Sequence, residues 1–307
     1  MADPQYTEHL FYCQTQVGPV TLPDVGKIVK RRTWFVVLAA ALAGCGSLPA
    51  ASPGTPSLTA GSTPQQAVLP EEAILILAPG NGSRLVGQVH VEGIADSTFE
   101  QTLVVQVVLL GETEQVVAQQ PVMIQAELGQ RGPFAADVPF DYAGASEQPA
   151  EVRVFAASPR DGGITHLASA HVTLAASGES DLRPGEAHPE QIAITSPAPA
   201  AVVRGGSAHI EGMALASFEQ TLVAEIYDVE GVLIGRAPIT VAPRPSAEDS
   251  LDGRGVDADE YGMTGPFAVD VSYTAGAAGP GRIVVLDPSP AFGQTLHLAS
   301  VEVQIEP

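Results

Sequence analysis

Histidines are the residues of this chain whose side chains could bind a metal ion or transfer a proton near neutral pH. Four of them form two pairs at equivalent positions of repeated motifs, His90 with His209 and His166 with His297. Neither pair shows a ligand spacing such as His-x-x-x-His with a carboxylate beside it. We therefore expect these histidines to serve packing or surface roles, and we predict no metal site from them.

An acidic stretch at residues 257–262 begins like a calcium-binding loop. Such a loop needs an oxygen ligand at its fifth position and a bidentate glutamate at its twelfth, and Tyr261 and Ala268 occupy those positions here. A weak, irregular calcium site stays open as one interpretation, and a solvated, flexible acidic loop is the one that we favour. The residues that would bind calcium are Asp257, Asp259 and Glu260.

Catalytic motifs with a recognisable spacing are absent from the sequence. It contains no Gly-x-Ser-x-Gly nucleophile elbow, no phosphate-binding Walker loop and no glycine fingerprint for dinucleotides. We therefore predict that the protein is not an enzyme and needs no cofactor.

Cys45 has the most specific chemical signature in the chain. Four basic residues between positions 27 and 32 precede an apolar run, Trp34–Ala43, that is too short to span a bilayer as a mature helix. The run ends in Leu42-Ala43-Gly44-Cys45, which resembles the bacterial lipobox, whose cysteine is lipidated and becomes the N-terminus after cleavage. Residues 1–45 are therefore interpreted as an N-terminal extension and lipoprotein signal peptide. We expect the lipidated Cys45 to anchor the protein in the lipid bilayer, on the extracytoplasmic face of the bacterial cell membrane.

The rest of the sequence contains an internal duplication. The hexapeptide Phe99–Val104 recurs letter for letter at Phe218–Val223, and we expect its phenylalanines to anchor two equivalent cores. The separation between copies grows along the chain, so the second copy carries an insertion, which must lie within residues 243–264. Three shorter motifs recur in the same order: Val89–Gly93 with Ala208–Gly212, Gly132–Phe134 with Gly265–Phe267, and His166–Ser169 with His297–Ser300.

Each copy has the pattern of an antiparallel β-sandwich. Apolar and polar residues alternate over short segments that end in Gly, Pro, Asn or Asp, and no segment has a convincing helical period. The sequence thus predicts an all-β protein with two tandem immunoglobulin-like sandwiches, which we expect to fold independently. The predicted boundaries are a disordered linker at 46–71, a first sandwich at 72–176, an acidic linker at 177–190 and a second sandwich at 191–307.

Charge and cysteine content exclude several classes of protein. The net charge is −21, and both lysines lie near the N-terminus, at positions 27 and 30. A nucleic-acid-binding protein needs a basic patch that neutralises phosphates, so we predict no nucleic-acid partner. The two cysteines, Cys13 and Cys45, both precede the duplicated region, which therefore contains no disulfide.

The duplicated motifs resemble a known family. Phe-Glu ahead of a long apolar strand at Phe99, Gly-Pro-Phe at Gly132 and the turn Ser158–Gly162 are similar to the immunoglobulin-like domain of bacterial spore germination proteins. The opening Ile-x-Ile-x-x-Pro, at Ile74 and Ile192, also fits. That domain often accompanies a GerM domain. The resemblance implies an immunoglobulin-like sandwich on an exported protein, no known catalytic residue, and a link to sporulation or germination.

These inferences predict a membrane-anchored, non-enzymatic envelope lipoprotein whose immunoglobulin-like domains serve interaction or spacing. Its expected partners are the bilayer and an unidentified envelope protein or glycan. The alternative is a module that binds peptidoglycan or another carbohydrate. Sugar-binding surfaces usually present exposed aromatic side chains, and the duplicated region contains four tyrosines and no tryptophan.

Overall fold

The structure is a computed structural model that describes residues 69–215, 220–242 and 264–307. Short antiparallel strands account for most of these residues, which confirms the predicted all-β class. Within these ranges, no helix is long and apolar enough to cross a membrane. Several predicted features lie outside the described ranges, namely Cys45, most of the linker 46–71, Phe218, and the insertion with Asp257, Asp259 and Glu260.

The strands fall into two equivalent sets, which we call the first module and the second module. The strands of the first module are β1 (Ile74–Ala78), β2 (Ser83–Leu85), β3 (Gln88–Ala95), β4 (Thr102–Leu109), β5 (Gln115–Met123), β6 (Gly132–Pro139), β7 (Gln148–Ala157) and β8 (Ile164–Leu174). The described strands of the second module are β9 (Ile192–Ser196), β10 (Val202–Val203), β11 (Ser207–Leu215), β12 (Thr221–Tyr227), β13 (Leu233–Thr240), β14 (Thr264–Ser272), β15 (Gly279–Pro288) and β16 (Thr295–Ile305).

Each module has two sheets with the same strand order. In the first module, β1, β3 and β6 form one sheet, while β5, β4, β7 and β8 pair in that order in the other. In the second module, β9, β11 and β14 form one sheet, while β13, β12, β15 and β16 pair in that order. The short strands β2 and β10 pair in parallel with the far ends of β8 and β16, respectively. This is the two-layer arrangement of an immunoglobulin-like sandwich.

A separate hydrophobic core lies inside each module. Both cores consist largely of Val, Ile, Leu and Ala with one buried phenylalanine of the Gly-Pro-Phe motif, Phe134 in the first and Phe267 in the second. Strand β3 shows how the strands build these cores, because its residues alternate strictly between solvent and core over most of its length. Two separate cores are consistent with independent folding, which stays a prediction.

The two modules join through their inner edge strands, because β8 pairs antiparallel with β16. This pairing, which we call the junction, merges the larger sheets of the two modules into a single ten-stranded sheet. The outer edges of that sheet are β5 and β13, and each contains a proline, Pro121 and Pro238. Proline cannot donate to a ladder and blocks further pairing at an edge. The inner edges β8 and β16 carry no proline and are the ones that pair.

The acidic segment 177–190 lies along the first module. Its backbone bonds to the region around β1 and β2: the Gly80 amide donates to the Arg183 carbonyl at 2.7 Å, and the Gly185 amide donates to the Leu77 carbonyl at 2.8 Å. The Arg84 side chain donates to the carbonyls of Ser177 and Glu179. These contacts place Glu190, the last residue of the segment, beside the junction.

The repeated glycine of the Val89–Gly93 motif has a packing role. Gly93 of β3 lies opposite Phe134 of β6, and a Cβ at Gly93 would meet the Phe134 ring at 2.5 Å and overlap the Leu75 carbonyl oxygen of β1. Gly212 has the same relation to the Phe267 ring and the Ala193 carbonyl oxygen. Two of the repeated motifs therefore form one structural unit, a strand glycine covered by a cross-strand phenylalanine.

The structure corrects one sequence prediction, that Phe99 anchors the first core. The side chain of Phe99 is exposed, with 59% of its surface accessible. Residues 99–101 form a turn of 3-10 helix in which Glu100 and Gln101 have positive φ, and this turn directs Gln101 inward. Gln101 is 3% exposed, and its side-chain nitrogen donates to the carbonyls of Glu127 and Gln130 at 2.9 and 3.0 Å. The anchor of this motif is therefore the glutamine.

We predict that Gly93→Ala lowers the free energy of unfolding by about 1–3 kcal/mol, because the methyl group must displace the Phe134 ring and the neighbouring strand. Thermal denaturation of the full chain measures this loss. The control is Gly111→Ala, where the nearest atom to a new Cβ is the Thr113 carbonyl oxygen at 3.9 Å, so little change is expected. Equal effects of the two substitutions would contradict the packing role of Gly93.

Candidate functional site

The repeated tetrapeptide His-Leu-Ala-Ser builds the junction. Leu167 lies opposite Leu298, while His166 pairs with Ala299 and Ala168 pairs with His297. The two copies of the motif thus face each other in antiparallel register, and an approximate two-fold axis passes between the leucines. The motif occurs once in each module, and its two copies form the contact between the modules.

The serines of the motif add side-chain bonds across the junction. The Ser169 hydroxyl donates to the Leu296 carbonyl at 2.8 Å, and the Ser300 hydroxyl donates to the Thr165 carbonyl at 2.7 Å. Each serine therefore bonds to the backbone of the other module, so the junction has bonds beyond those of the ladder.

One face of the junction is apolar. Leu167 and Leu298 pack there with Phe155 of β7 and Val284 of β15, and all four are buried. This small cluster is distinct from the two module cores. Its burial gives the modules a hydrophobic reason to stay together.

The opposite face carries four ionisable residues, which we call the Glu–His cluster: Glu72, His166, Glu190 and His297. Each module supplies one histidine and each glutamate lies two residues ahead of a first strand, Glu72 before β1 and Glu190 before β9. The side chains are 0%, 16%, 6% and 2% exposed for Glu72, His166, Glu190 and His297, respectively. The imidazole rings meet edge to face, with centroids 5.4 Å apart and planes at 89°.

Two imidazole nitrogens and two carboxylate oxygens of the cluster lie close together. The Nε2 atom of His166 lies 3.4 Å from Glu72 Oε1 and 3.5 Å from Glu190 Oε1. The Nε2 atom of His297 lies 3.4 Å and 3.2 Å from the same two oxygens. Each imidazole nitrogen is thus shared about equally between both carboxylates.

The outer carboxylate oxygens are fixed by the backbone. Glu72 Oε2 accepts a hydrogen bond from the Gln191 amide at 3.0 Å, and Glu190 Oε2 accepts one from the Ala73 amide at 2.8 Å. These two bonds are equivalent under the approximate two-fold axis, since each glutamate binds the residue that follows the other. They leave both Oε1 atoms directed at the histidines.

Electrostatics inside the cluster favour charge on both residue types. Burial works against charge on His166, but the hydrogen bond with Glu72 and the carboxylates of Glu190 and Asp96 outweigh burial and raise the pKa of His166. Burial likewise works against charge on Glu190, but His297, His166 and the Ala73 amide outweigh it and lower the pKa of that carboxyl. A positive His166 can therefore balance a negative Glu190, or the cluster can hold a cation between neutral imidazoles and carboxylates.

Two further polar contacts join the modules on the side of the sheet that carries the leucines, and each runs from a turn of one module to a strand of the other. Asp161, in the turn before β8, accepts a bond from Arg282 of β15 at 2.9 Å, and both side chains are almost fully buried. Gln294, in the turn before β16, donates to Glu151 of β7 at 2.9 Å. Arg282 also lies over the Tyr227 ring, 5.6 Å from its centroid.

Comparison with known protein families identifies part of the chain. Residues 73–163 match the family Gmad2, described as the immunoglobulin-like domain of bacterial spore germination. Residues 73–163, which make up most of the first module, are a Gmad2 domain. The match spans β1 to β7 and ends just before β8, so all four residues of the Glu–His cluster lie outside it. No curated protein matches the chain.

The two histidine pairs of the repeated motifs have different environments in the structure. His90 and His209 lie on exposed strand faces, where each Nδ1 is close to an aspartate on the neighbouring strand, Asp137 at 2.7 Å and Asp270 at 2.8 Å. These hydrogen bonds raise the pKa of both histidines. His166 and His297 instead come together, with glutamates that sequence spacing could not connect to them. One sequence feature could have pointed to the cluster: a glutamate lies two residues ahead of each Ile-x-Ile-x-x-Pro opening.

We predict that the Asp161–Arg282 pair stabilises the native state in a pH-dependent way. Burial alone would raise the pKa of Asp161, but the bonds from Arg282 and the Gly163 amide outweigh it and lower the pKa to about 2 from 3.8. A lowered carboxyl pKa stabilises the folded state above pH 3.8, and this stabilisation disappears as pH falls toward 2. Asp161→Asn should therefore cost about 2 kcal/mol at neutral pH and weaken the pH dependence between these values.

Equilibrium unfolding of the full chain at several pH values measures this effect. The control is Asp270→Asn, which removes an exposed carboxylate and should change stability little, because exposed ion pairs contribute at most about 1 kcal/mol. If Asp161→Asn leaves both the stability and its acid dependence unchanged, the buried pair has no stabilising role.

Proposed function

We propose that the protein is a lipid-anchored, extracytoplasmic, non-enzymatic envelope protein whose two immunoglobulin-like modules act together as one rigid interaction or spacing element. The second module is in this proposal a diverged copy of the first, and the protein serves a process related to spore germination. The observation that carries the proposal is the junction, because it fixes the orientation of one module against the other.

Rigidity is supported by the number and kinds of contact at the junction. The ladder between β8 and β16, the leucine face and the serine bonds all restrain the same few residues. Flexible interdomain linkers instead leave modules free to reorient. An element of fixed length suits spacing from a membrane or presentation of a surface to a partner.

The surface of the element favours a protein partner over a sugar. The prolines of β5 and β13 disfavour binding by strand addition at the outer edges. The exposed large apolar side chains of the first module include Phe99, Met123 and Leu128. Phe99 lies in the turn that the repeated Phe-Glu motif forms, and Met123 lies opposite Thr102, just after that turn. Aromatic and methionine side chains are enriched in protein interfaces.

The anchoring part of the proposal predicts that Cys45→Ala abolishes incorporation of labelled fatty acid and leaves an unprocessed precursor, since the thiol is the site of lipidation. The matched control is Cys13→Ala, which should be labelled and fractionate with membranes like the wild type. Labelling that persists in Cys45→Ala, or that disappears in Cys13→Ala, would overturn the assignment of Cys45.

The interaction part is tested with the purified full-length chain in two parallel assays. One assay sediments it with purified peptidoglycan sacculi, and the other captures crosslinked envelope proteins on membranes that contain it. We expect a specific crosslinked protein and no co-sedimentation. Saturable co-sedimentation with sacculi would replace the proposal by the carbohydrate-binding alternative, and the absence of both results would contradict an interaction role.

A further inference from the structure

We propose that the Glu–His cluster is a structural zinc site shared by the two modules. Glu72, His166, Glu190 and His297 would supply its four protein ligands through two Oε1 and two Nε2 atoms. The site would exist whether or not Cys45 carries lipid, because its geometry depends on the junction alone.

The first argument is the spacing of the ligand atoms. All four lie within 4.8 Å of one another, and the four nitrogen–oxygen separations are 3.4, 3.5, 3.4 and 3.2 Å. A tetrahedral zinc ion with bonds of about 2.0–2.1 Å separates its ligand atoms by roughly 3.3 Å. The four nitrogen–oxygen separations of the cluster therefore match those of a tetrahedral coordination shell.

The second argument comes from other histidine–carboxylate pairs in the same structure. His90 and His209 approach their aspartates at 2.7 and 2.8 Å, the range of ordinary charge-assisted hydrogen bonds. The imidazole nitrogens of the cluster are farther from their carboxylates, and each is nearly equidistant from two of them. Distances of 3.2–3.6 Å also occur in other pairs, such as His90–Glu92 and His171–Glu151. The feature specific to the cluster is that each nitrogen is shared between the same two carboxylate oxygens, as a central ion would require.

The third argument is the support around the ligands. The Gln191 and Ala73 amides hold the outer carboxylate oxygens, so each glutamate can offer one oxygen to the centre. Such outer contacts orient the ligands of metal sites and contribute to their affinity. The backbone that carries Glu190 is itself bound to the first module, because the Glu190 amide donates to the Pro70 carbonyl at 2.9 Å.

The identity of the ion follows from the ligand types and their number. Two imidazoles with two carboxylates suit a divalent first-row transition metal, and four ligands in a tetrahedron favour zinc over copper, which prefers tetragonal geometry. The charge of the ion would be balanced by the two carboxylates. Four protein ligands leave no open position, as in structural sites and unlike catalytic ones.

The consequence of the site is a cross-link between modules. The two histidines come from different modules, so zinc can bind with four ligands only when the junction is formed. Zinc would therefore stabilise the paired arrangement by mass action.

The test uses the full chain, without a histidine tag, after removal of metals by a chelator. After zinc is added back, we expect one zinc ion per chain to stay bound through gel filtration. At zinc concentrations about 100 times the dissociation constant, the melting temperature should rise by roughly 5–10 °C. Cobalt in place of zinc should give the intense visible absorption of a four-coordinate ion.

The ligand variant is His166→Gln with His297→Gln, which removes both imidazoles. It should lose tight zinc binding and the rise in melting temperature while keeping the circular dichroism of a β protein. The matched control is His90→Gln with His209→Gln, which removes the other repeated pair and should bind zinc like the wild type. Loss of binding in the control, or retention of one tight zinc ion in the ligand variant, would overturn the site.

X-ray absorption at the zinc edge of the wild type keeps the proposal testable if the ligand variant does not fold. The site predicts four nitrogen or oxygen neighbours at about 2.0–2.1 Å, two of them imidazoles. A wild-type chain that binds no zinc above the level of weak surface association, or a spectrum with one imidazole and several waters, would show that the cluster is an ion-pair network instead.

Discussion

The structure depends on one constraint, the need of a sheet edge to be covered. Strands β8 and β16 end their sheets with unpaired backbone groups over a stretch without proline, and an exposed edge of this kind pairs with whatever strand is near. The second module offers an edge strand with the same His-Leu-Ala-Ser motif within the same chain. Antiparallel pairing of residues 166–168 with 297–299 covers part of both edges, and β2 and β10 pair with their far ends. Pro121 and Pro238 protect the outer edges.

Once the edges pair, the properties of the junction follow from the period of a strand. Successive side chains point to opposite faces, so Leu167 and Leu298 meet on one face while His166 and His297 meet on the other. Because of the approximate two-fold axis, contacts at the junction occur in equivalent pairs. The amide bonds to Glu72 and Glu190 form one such pair, and the serine bonds form another. A metal ion on that axis would use the same symmetry.

Sequence alone predicted the parts that depend on local periodicity. Alternating residues predicted the strands and the all-β class. It could not predict the partner of an edge strand, since alternation specifies the faces of a strand and not its neighbour. The same limit hid the cluster, because His166 and Glu72 are 94 residues apart. The sequence misplaced Phe99 because an apolar residue in a repeated motif is expected in the core. The positive φ of Glu100 and Gln101 instead bends the backbone so that Gln101 is buried and Phe99 is exposed.

Hydrogen exchange of backbone amides in the intact chain tests the central claim, that β8 and β16 form one continuous ladder. The amides of residues 166–168 and 297–299 should exchange as slowly as those of the interior strands β4 and β12, because they are covered on both sides. The outer strands β5 and β13 serve as the internal reference for an edge. Exchange of the junction amides as fast as in β5 and β13 would show that the modules are not joined and would contradict the account.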